Sequence, residues 1–364
     1  MRFRDLAPLL LSLILIIQIA PASATTNHYT YTATYTFTNR GSAPVSLTRD
    51  DVSSSLFLDD SHQTVTVASA TPPLGATYTD EDGNTLADPT TNLTIPPGGN
   101  VTYTVVYDIT SNDSPRPQLN ASSAGTMSNI PAALVANYTG STDTFWPNDT
   151  KIADLARSLT AGQPTVLGKV TRLVQWFHAN VTYATHELPN YPNQTLQQRT
   201  GDCDDQSILL ISMLRSLGIP AYLEIGVVFD STGGGSETVW NGHLAITETG
   251  LAWHGWTMVY TPPWGWIPVD LTLASNNDPL QMVQSAPEYT APIVTAMKIS
   301  RQSYTGASVE SRQRIITSDI YVASVETVQG VQASWIDPTM IILAVALVAA
   351  IGFMFYTSRR QQPI

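Results

Sequence analysis

At 364 residues, with 43% apolar side chains, 24 prolines and 22 glycines, the chain is too apolar for disorder and long enough for two folded units rich in turns and β-structure. Its net charge of −12, from 29 acidic against 17 basic residues with no Lys/Arg-rich run, excludes a groove that neutralises phosphates, so nucleic acid is not an expected partner. A single cysteine excludes internal disulfides and leaves one thiol to be explained.

In chain order, Arg2 and Arg4 precede an apolar run from Leu9 to Ala20 and the segment Pro21-Ala22-Ser23-Ala24, which reads as a signal peptide over residues 1–24. From Tyr29 to Phe37, aromatic and apolar residues alternate with threonines, the period of a half-buried strand. Shorter runs at Val65–Ala68 and Val101–Ile109, separated by turn clusters, make residues 25–112 an expected immunoglobulin-like β-sandwich without its disulfide. The acidic turn Asp80-Glu81-Asp82-Gly83-Asn84 lacks the spacing of a calcium loop and reads as a solvated hairpin turn. Sequons at Asn92, Asn100, Asn112, Asn120, Asn137, Asn148, Asn180 and Asn193 fit a glycan-accepting exterior.

Residues 113–147, rich in Ser, Pro, Asn and Ala, read as a linker or irregular extension. Helical spacing follows at Ile152–Leu159 and Val166–His178. A further helix opens at Gly201-Asp202-Cys203-Asp204-Asp205 and closes at Gly218 and Pro220. Asp202 is its natural N-cap, and its apolar residues cover most of the circumference, so this helix is expected to be central. Strands are expected at Tyr222–Phe229, His243–Thr247, Trp253–Tyr260 and Trp266–Leu271, with Gly233-Gly234-Gly235 as a flexible loop. Helices followed by an antiparallel sheet define an α+β unit over residues 148–290. Residues 291–337 then read as a stalk or extra strands. Thr339–Thr357 carries no charge and precedes Arg359 and Arg360, which predicts a transmembrane helix over 338–357 and a cytoplasmic tail over 358–364. The expected location is therefore a single-pass cell-membrane protein with its folded part on the extracytoplasmic side.

A helix N-terminus directs backbone N–H groups and a positive dipole end at a sulfur, so the placement of Cys203 suits a nucleophile of lowered pKa. Asp202, Asp204 and Asp205 oppose that effect. Of six histidines, two lie in the strands that follow the cysteine. His254 sits between tryptophans, and Asp270 on the next strand can orient its ring. A tight turn near Pro263 would place His254 opposite a residue near Leu273, so a bulge or strand offset is expected if Asp270 is to reach it. His243 follows Asn241-Gly242 and is expected to cap its strand.

Gly201-Asp202-Cys203, Leu214-Arg215-Ser216-Leu217-Gly218-Ile219-Pro220, His254-Gly255-Trp256 and Gly265-Trp266-Ile267-Pro268-Val269-Asp270 together resemble the transglutaminase-like superfamily over about residues 150–275. That resemblance implies a papain-like core and a catalytic triad of Cys203, His254 and Asp270. It also implies acyl transfer through a Cys203 thioester on protein or peptide amides, with cell-envelope components as possible substrates. Animal transglutaminases place Trp directly after the nucleophile, where this chain has Asp204, and no calcium-binding set is identifiable. Hydrolysis is therefore favoured over calcium-activated cross-linking, and no cofactor or metal is expected. The oxyanion hole should use the Cys203 N–H and a second donor, for which Gln197 and Gln198 are candidates. The rival reading is a catalytically silent surface module that binds a wall polymer or a protein partner.

Overall fold

The computed structural model describes residues 26–274 and 276–330. The strands that build the main sheet are β1 (Thr26–Asn39), β2 (Gln63–Thr71), β3 (Asn100–Asn112), β4 (Ala221–Val239), β5 (Leu244–Thr261), β6 (Gly265–Val269), β7 (Ile293–Ile299) and β8 (Ile320–Gln329). The helices that bear on the site are α1 (Thr150–Leu159), α2 (Val166–Asn180), α3 (Pro192–Gln198), α4 (Cys203–Ser216), α5 (Pro279–Gln284) and α6 (Tyr304–Thr317).

All eight strands form one curled sheet in the order β7-β4-β5-β8-β1-β3-β2, with β6 attached to β5. The Thr/aromatic alternation of β1 does set two faces: Tyr29, Tyr31, Ala33 and Phe37 are buried while the intervening threonines are not. Its partners are another matter. One edge of β1 pairs antiparallel with β3, and the other pairs antiparallel with β8. Strand β8 in turn runs parallel to the first part of β5, from Leu244↔Val322 to Thr249↔Thr327. The expected free-standing immunoglobulin-like sandwich is thus corrected: its strands extend the sheet of the unit that follows, and its remaining pairings are two- and three-stranded pieces.

Single-pass membrane topology is also corrected. Among the described residues, no helix is long and apolar enough to cross a membrane. The segments on which that expectation rested, 1–24 and 338–357, lie outside the described residues.

Helix α4 is the centre of one core. Every residue from Asp205 to Arg215 is buried, and Ile208, Leu209, Leu210 and Leu214 pack with α1, α2 and the inner face of β4, β5 and β6. The apolar residues all round the helix require this, since a one-sided stripe would suffice only at a surface. A second core lies where Tyr31, Tyr107, Phe229, Leu251 and Val294 meet. Trp253 packs against both cores.

The Gly233–Gly235 segment lies inside the long β4–β5 hairpin rather than in a loop, with a register shift between Phe229 and Gly234. The acidic turn is the expected hairpin turn, joining the Tyr78↔Leu86 and Thr79↔Thr85 pairs with Glu81 and Gly83 exposed, but the Asp82 side chain is buried. Asp82 Oδ2 accepts the backbone N–H groups of Ser300, Arg301 and Gln302 at 2.7, 3.0 and 3.2 Å, which ties the N-terminal region to the segment that leads into α6.

Candidate active site

Cys203 opens α4. Asp202 caps the helix, and Asp205 three residues on reciprocates toward the Asp202 backbone. The next structural requirement is close approach of β5. Strand β5 has β4 along one edge, while its other edge pairs with β8 as far as Thr249 and with β6 only from Thr257. Residues 250–256 therefore have no strand partner on that second edge among the described residues, and the first turn of α4 fills the gap. The Gly255 N–H interacts with the Cys203 sulfur, and Ser207 Oγ faces the Gly255 carbonyl at 3.5 Å. A side chain at 255 would meet Ile225 and Asp204, its Cβ lying 2.9 and 3.2 Å from them. This is why Gly stands between His254 and Trp256.

His254 is 6% exposed and its Nε2 lies 2.9 Å from Asp270 Oδ2. No bulge is needed. The β5–β6 ladder runs from Thr261↔Gly265 to Thr257↔Val269, so the next position places Asp270 opposite Trp256. His254, two residues from Trp256, is then the same-face diagonal neighbour of Asp270. The chain turns directly after Asp270, whose Oδ1 accepts the N–H groups of Thr272 and Leu273 at 2.7 and 2.9 Å, leaving Oδ2 for the imidazole. Burial alone would raise the Asp270 carboxyl, but the His254 hydrogen bond and charge, with the two backbone donors, hold it below the usual range. Trp256 stacks on the His254 ring at 5.8 Å between centroids and its Nε1 donates to Glu224.

A cleft of about 240 Å³ brings Cys203 and His254 together with Tyr183, His186, Asp202, Asp204, Glu237, Trp253 and Tyr304. The thiol is not depressed. Burial first, then the Asp204 charge, pushes it up to about 12 against the helping Gly255 N–H, which reverses the expectation of a low-pKa cysteine. Asp204 itself is held well above the carboxylate range by burial and by Asp202, and it accepts the Tyr304 hydroxyl at 2.8 Å.

Three features of the site escaped the sequence. His186 Nδ1 lies 2.6 Å from Asp205 Oδ2, a second His–Asp pair, with Asp205 pushed up to about 6 by burial and Asp202. Tyr304 arrives from α6. Glu288, just after α5, lies 4.0 Å from His254 Nε2. His186, Asp202 and Asp205 form one cluster whose ligand atoms lie within 4.8 Å of one another, and His254, Asp270 and Glu288 form another; hydrogen bonds internal to the protein already join members of each. Gln197 lines a separate hollow with Asp149, Lys151 and Arg199, and neither Gln197 nor Gln198 lines the Cys203 cleft. His243 is engaged elsewhere, its Nδ1 2.8 Å from the Ile320 carbonyl.

Residues 153–271, which hold the cysteine, the histidine and the close of the β5–β6 ladder, match the transglutaminase-like superfamily. The chain carries a transglutaminase-like domain. Over 144 residues, 37% of the chain, it is 30% identical to the uncharacterized protein YebA of Bacillus subtilis (strain 168), and this match spans only 19% of that relative's length. Among solved structures, a candidate cysteine protease from Cytophaga hutchinsonii has a similar fold, with a TM-score of 0.50 at 13% identity over 86% of this chain and 94% of that one. The periplasmic domain of TgpA from Pseudomonas aeruginosa aligns with a TM-score of 0.34 at 16% identity, over 73% of this chain and 93% of that one. The strands outside 153–271 are built onto the sheet of this transglutaminase-like domain.

Proposed function

We propose that the protein is a cysteine acyl-transfer enzyme acting on protein or peptide amides, with Cys203 as nucleophile, His254 as base and Asp270 as the group that orients the base. The observation that supports this most is the 2.9 Å contact from His254 Nε2 to Asp270 Oδ2 on a ring that shares a cleft with Cys203. An imidazole donating Nε2–H to Asp270 presents Nδ1 as the acceptor.

With a thiol pushed up to about 12, the resting site holds a neutral sulfhydryl and the proton moves during the reaction. Nδ1 takes the Sγ proton as sulfur attacks the acyl carbon. The Cys203 backbone N–H, at the start of a helix, is the available oxyanion donor. The proton then passes from Nδ1 to the departing amine, leaving a thioester, and water delivered with Nδ1 as base releases the acid. Hydrolysis is preferred to transfer onto an amine on the ground that Asp204 stands directly after the nucleophile, where animal transglutaminases place Trp.

Turnover of a peptide-amide library, read as released amine, tests the assignment. His254→Ala and Asp270→Asn should each lower kcat/KM by about three orders of magnitude in folded protein, as loss of a base or of its tautomer control does. His243→Ala should leave it unchanged. An active His254→Ala variant would remove the proposed base.

A further inference from the structure

Behind the catalytic imidazole the structure buries one acid too many. Glu288 follows α5 in a short turn of helix, Pro287–Tyr289, and its side chain is 5% exposed. Neither of its carboxyl oxygens has a hydrogen-bond partner among the described residues. What faces them is Asp270 and, 4.0 Å away, His254 Nε2. Glu224, from β4, also bears on it, and so does neighbouring Tyr289, whose ring has the Arg116 guanidinium 6.0 Å from its centroid.

Two carboxyl groups confront a single imidazole in a buried space, and one cation cannot neutralise two buried anions. The donors decide which acid keeps its charge. Asp270 accepts from Thr272, Leu273 and His254, whereas Glu288 has no donor from another residue among those described, only its own backbone N–H nearby. We infer that Glu288 is a positioning residue held as the neutral acid, donating its proton to Asp270 so that the acid pair behind His254 carries one negative charge instead of two. Burial, followed by the Asp270 charge, favours the protonated form in the same sense. This inference rests on the catalytic reading of His254 and deepens it. A doubly charged pair would hold the imidazole as imidazolium, unable to accept the thiol proton, while a singly charged pair fixes the ring and leaves Nδ1 free to do so.

The test reads protonation directly and needs no substrate. Infrared difference spectra of the full protein, uniformly labelled with ¹³C-glutamate, should at pH 8.5 contain one isotope-shifted carbonyl stretch of a protonated carboxyl. Glu224→Gln and Glu248→Gln should keep that band and Glu288→Gln should lose it. If Glu288→Gln does not fold, Glu288→Asp serves, since it keeps an acid outside the labelled set and also removes the shifted band. Absence of the band in the wild type, or its persistence in either Glu288 variant, overturns the inference. Where turnover is measurable, Glu288→Gln, whose amide still donates to Asp270, should keep kcat within about threefold, and Glu288→Ala should lower kcat about tenfold at unchanged KM. Lack of turnover in the wild type would sink the catalytic reading and leave the infrared result standing.

Discussion

Burial, then the Asp204 carboxyl and with it Asp202, disfavour the Cys203 thiolate, against the Gly255 N–H and the Asp204 N–H that favour it. Iodoacetamide labelling of the resting protein should therefore have a midpoint well above the ordinary thiol value of about 8.5. Asp204→Asn removes the acid whose ionisation opposes that of the thiol, so the midpoint should fall; a midpoint that rises or stays fixed would mean that Asp204 does not govern the thiol. Tyr304→Phe removes the hydroxyl that donates to Asp204 and favours its charged form, so it should move the midpoint in the same direction by a smaller amount. The grouping of Cys203, His254 and Asp270 at one candidate site was legible because these residue types stand in a fixed order with Gly and Trp spacers. Glu288 and Tyr304 were not, because a lone acid near a turn and a lone tyrosine opening a helix carry no periodic or motif signal.

Among the elements, β1, β5 and β8 are locked through one buried carboxylate. Glu326 on β8 accepts from Tyr31 Oη at 2.7 Å, Tyr35 Oη at 3.3 Å, Ser324 Oγ at 2.8 Å and Trp253 Nε1 at 2.7 Å. Glu326→Ala strands several buried donors at once, so chemical denaturation should find it destabilised by at least about 3 kcal/mol. Glu326→Gln, which can still accept, should lose less. Within the core, Leu210→Ala should cost about 2–5 kcal/mol, because its side chain is fully buried in α4. Helix α4 was readable from apolar residues around its whole circumference. The pairing of β8 with both β1 and β5 was not, because alternation along a strand specifies which face is buried and says nothing about which distant strand lies beside it. The β5–β6 register, by contrast, follows the tight turn as expected; what the alternation did not reveal is that Asp270, one position beyond the Thr257↔Val269 pair, reaches His254 diagonally without a bulge.

For the whole molecule, buried acids set the pH response. Glu224 is raised to about 7 by burial, against the donors Tyr222 and Trp256, and Asp205 is raised to about 6. A carboxyl whose folded-state pKa exceeds its unfolded value binds more protons when folded, so its contribution is fully present below the unfolded pKa and is lost as pH rises through the folded one. Tm should accordingly be higher near pH 5 than near pH 8. Glu224→Gln should flatten that slope by up to about 3 kcal/mol, and by less where its partly open side admits water. We also expect residues 148–290, expressed alone, to show no cooperative unfolding transition, because β5 would lose β8 and with it the strands β1 and β3; a cooperative transition in that fragment would establish it as an independent domain.

The stretch of β5 between its β8 and β6 partners has a further consequence. With no neighbouring strand to claim it on that edge, the Gly255 amide hydrogen is guarded by a sulfur atom rather than by a carbonyl. Its rate of exchange with deuterated water therefore becomes a gauge of what the sulfur is doing. Alkylation or acylation of Cys203 would reset the exchange of this one amide while the flanking ladder amides kept theirs, giving a label-free record of each covalent state of the thiol.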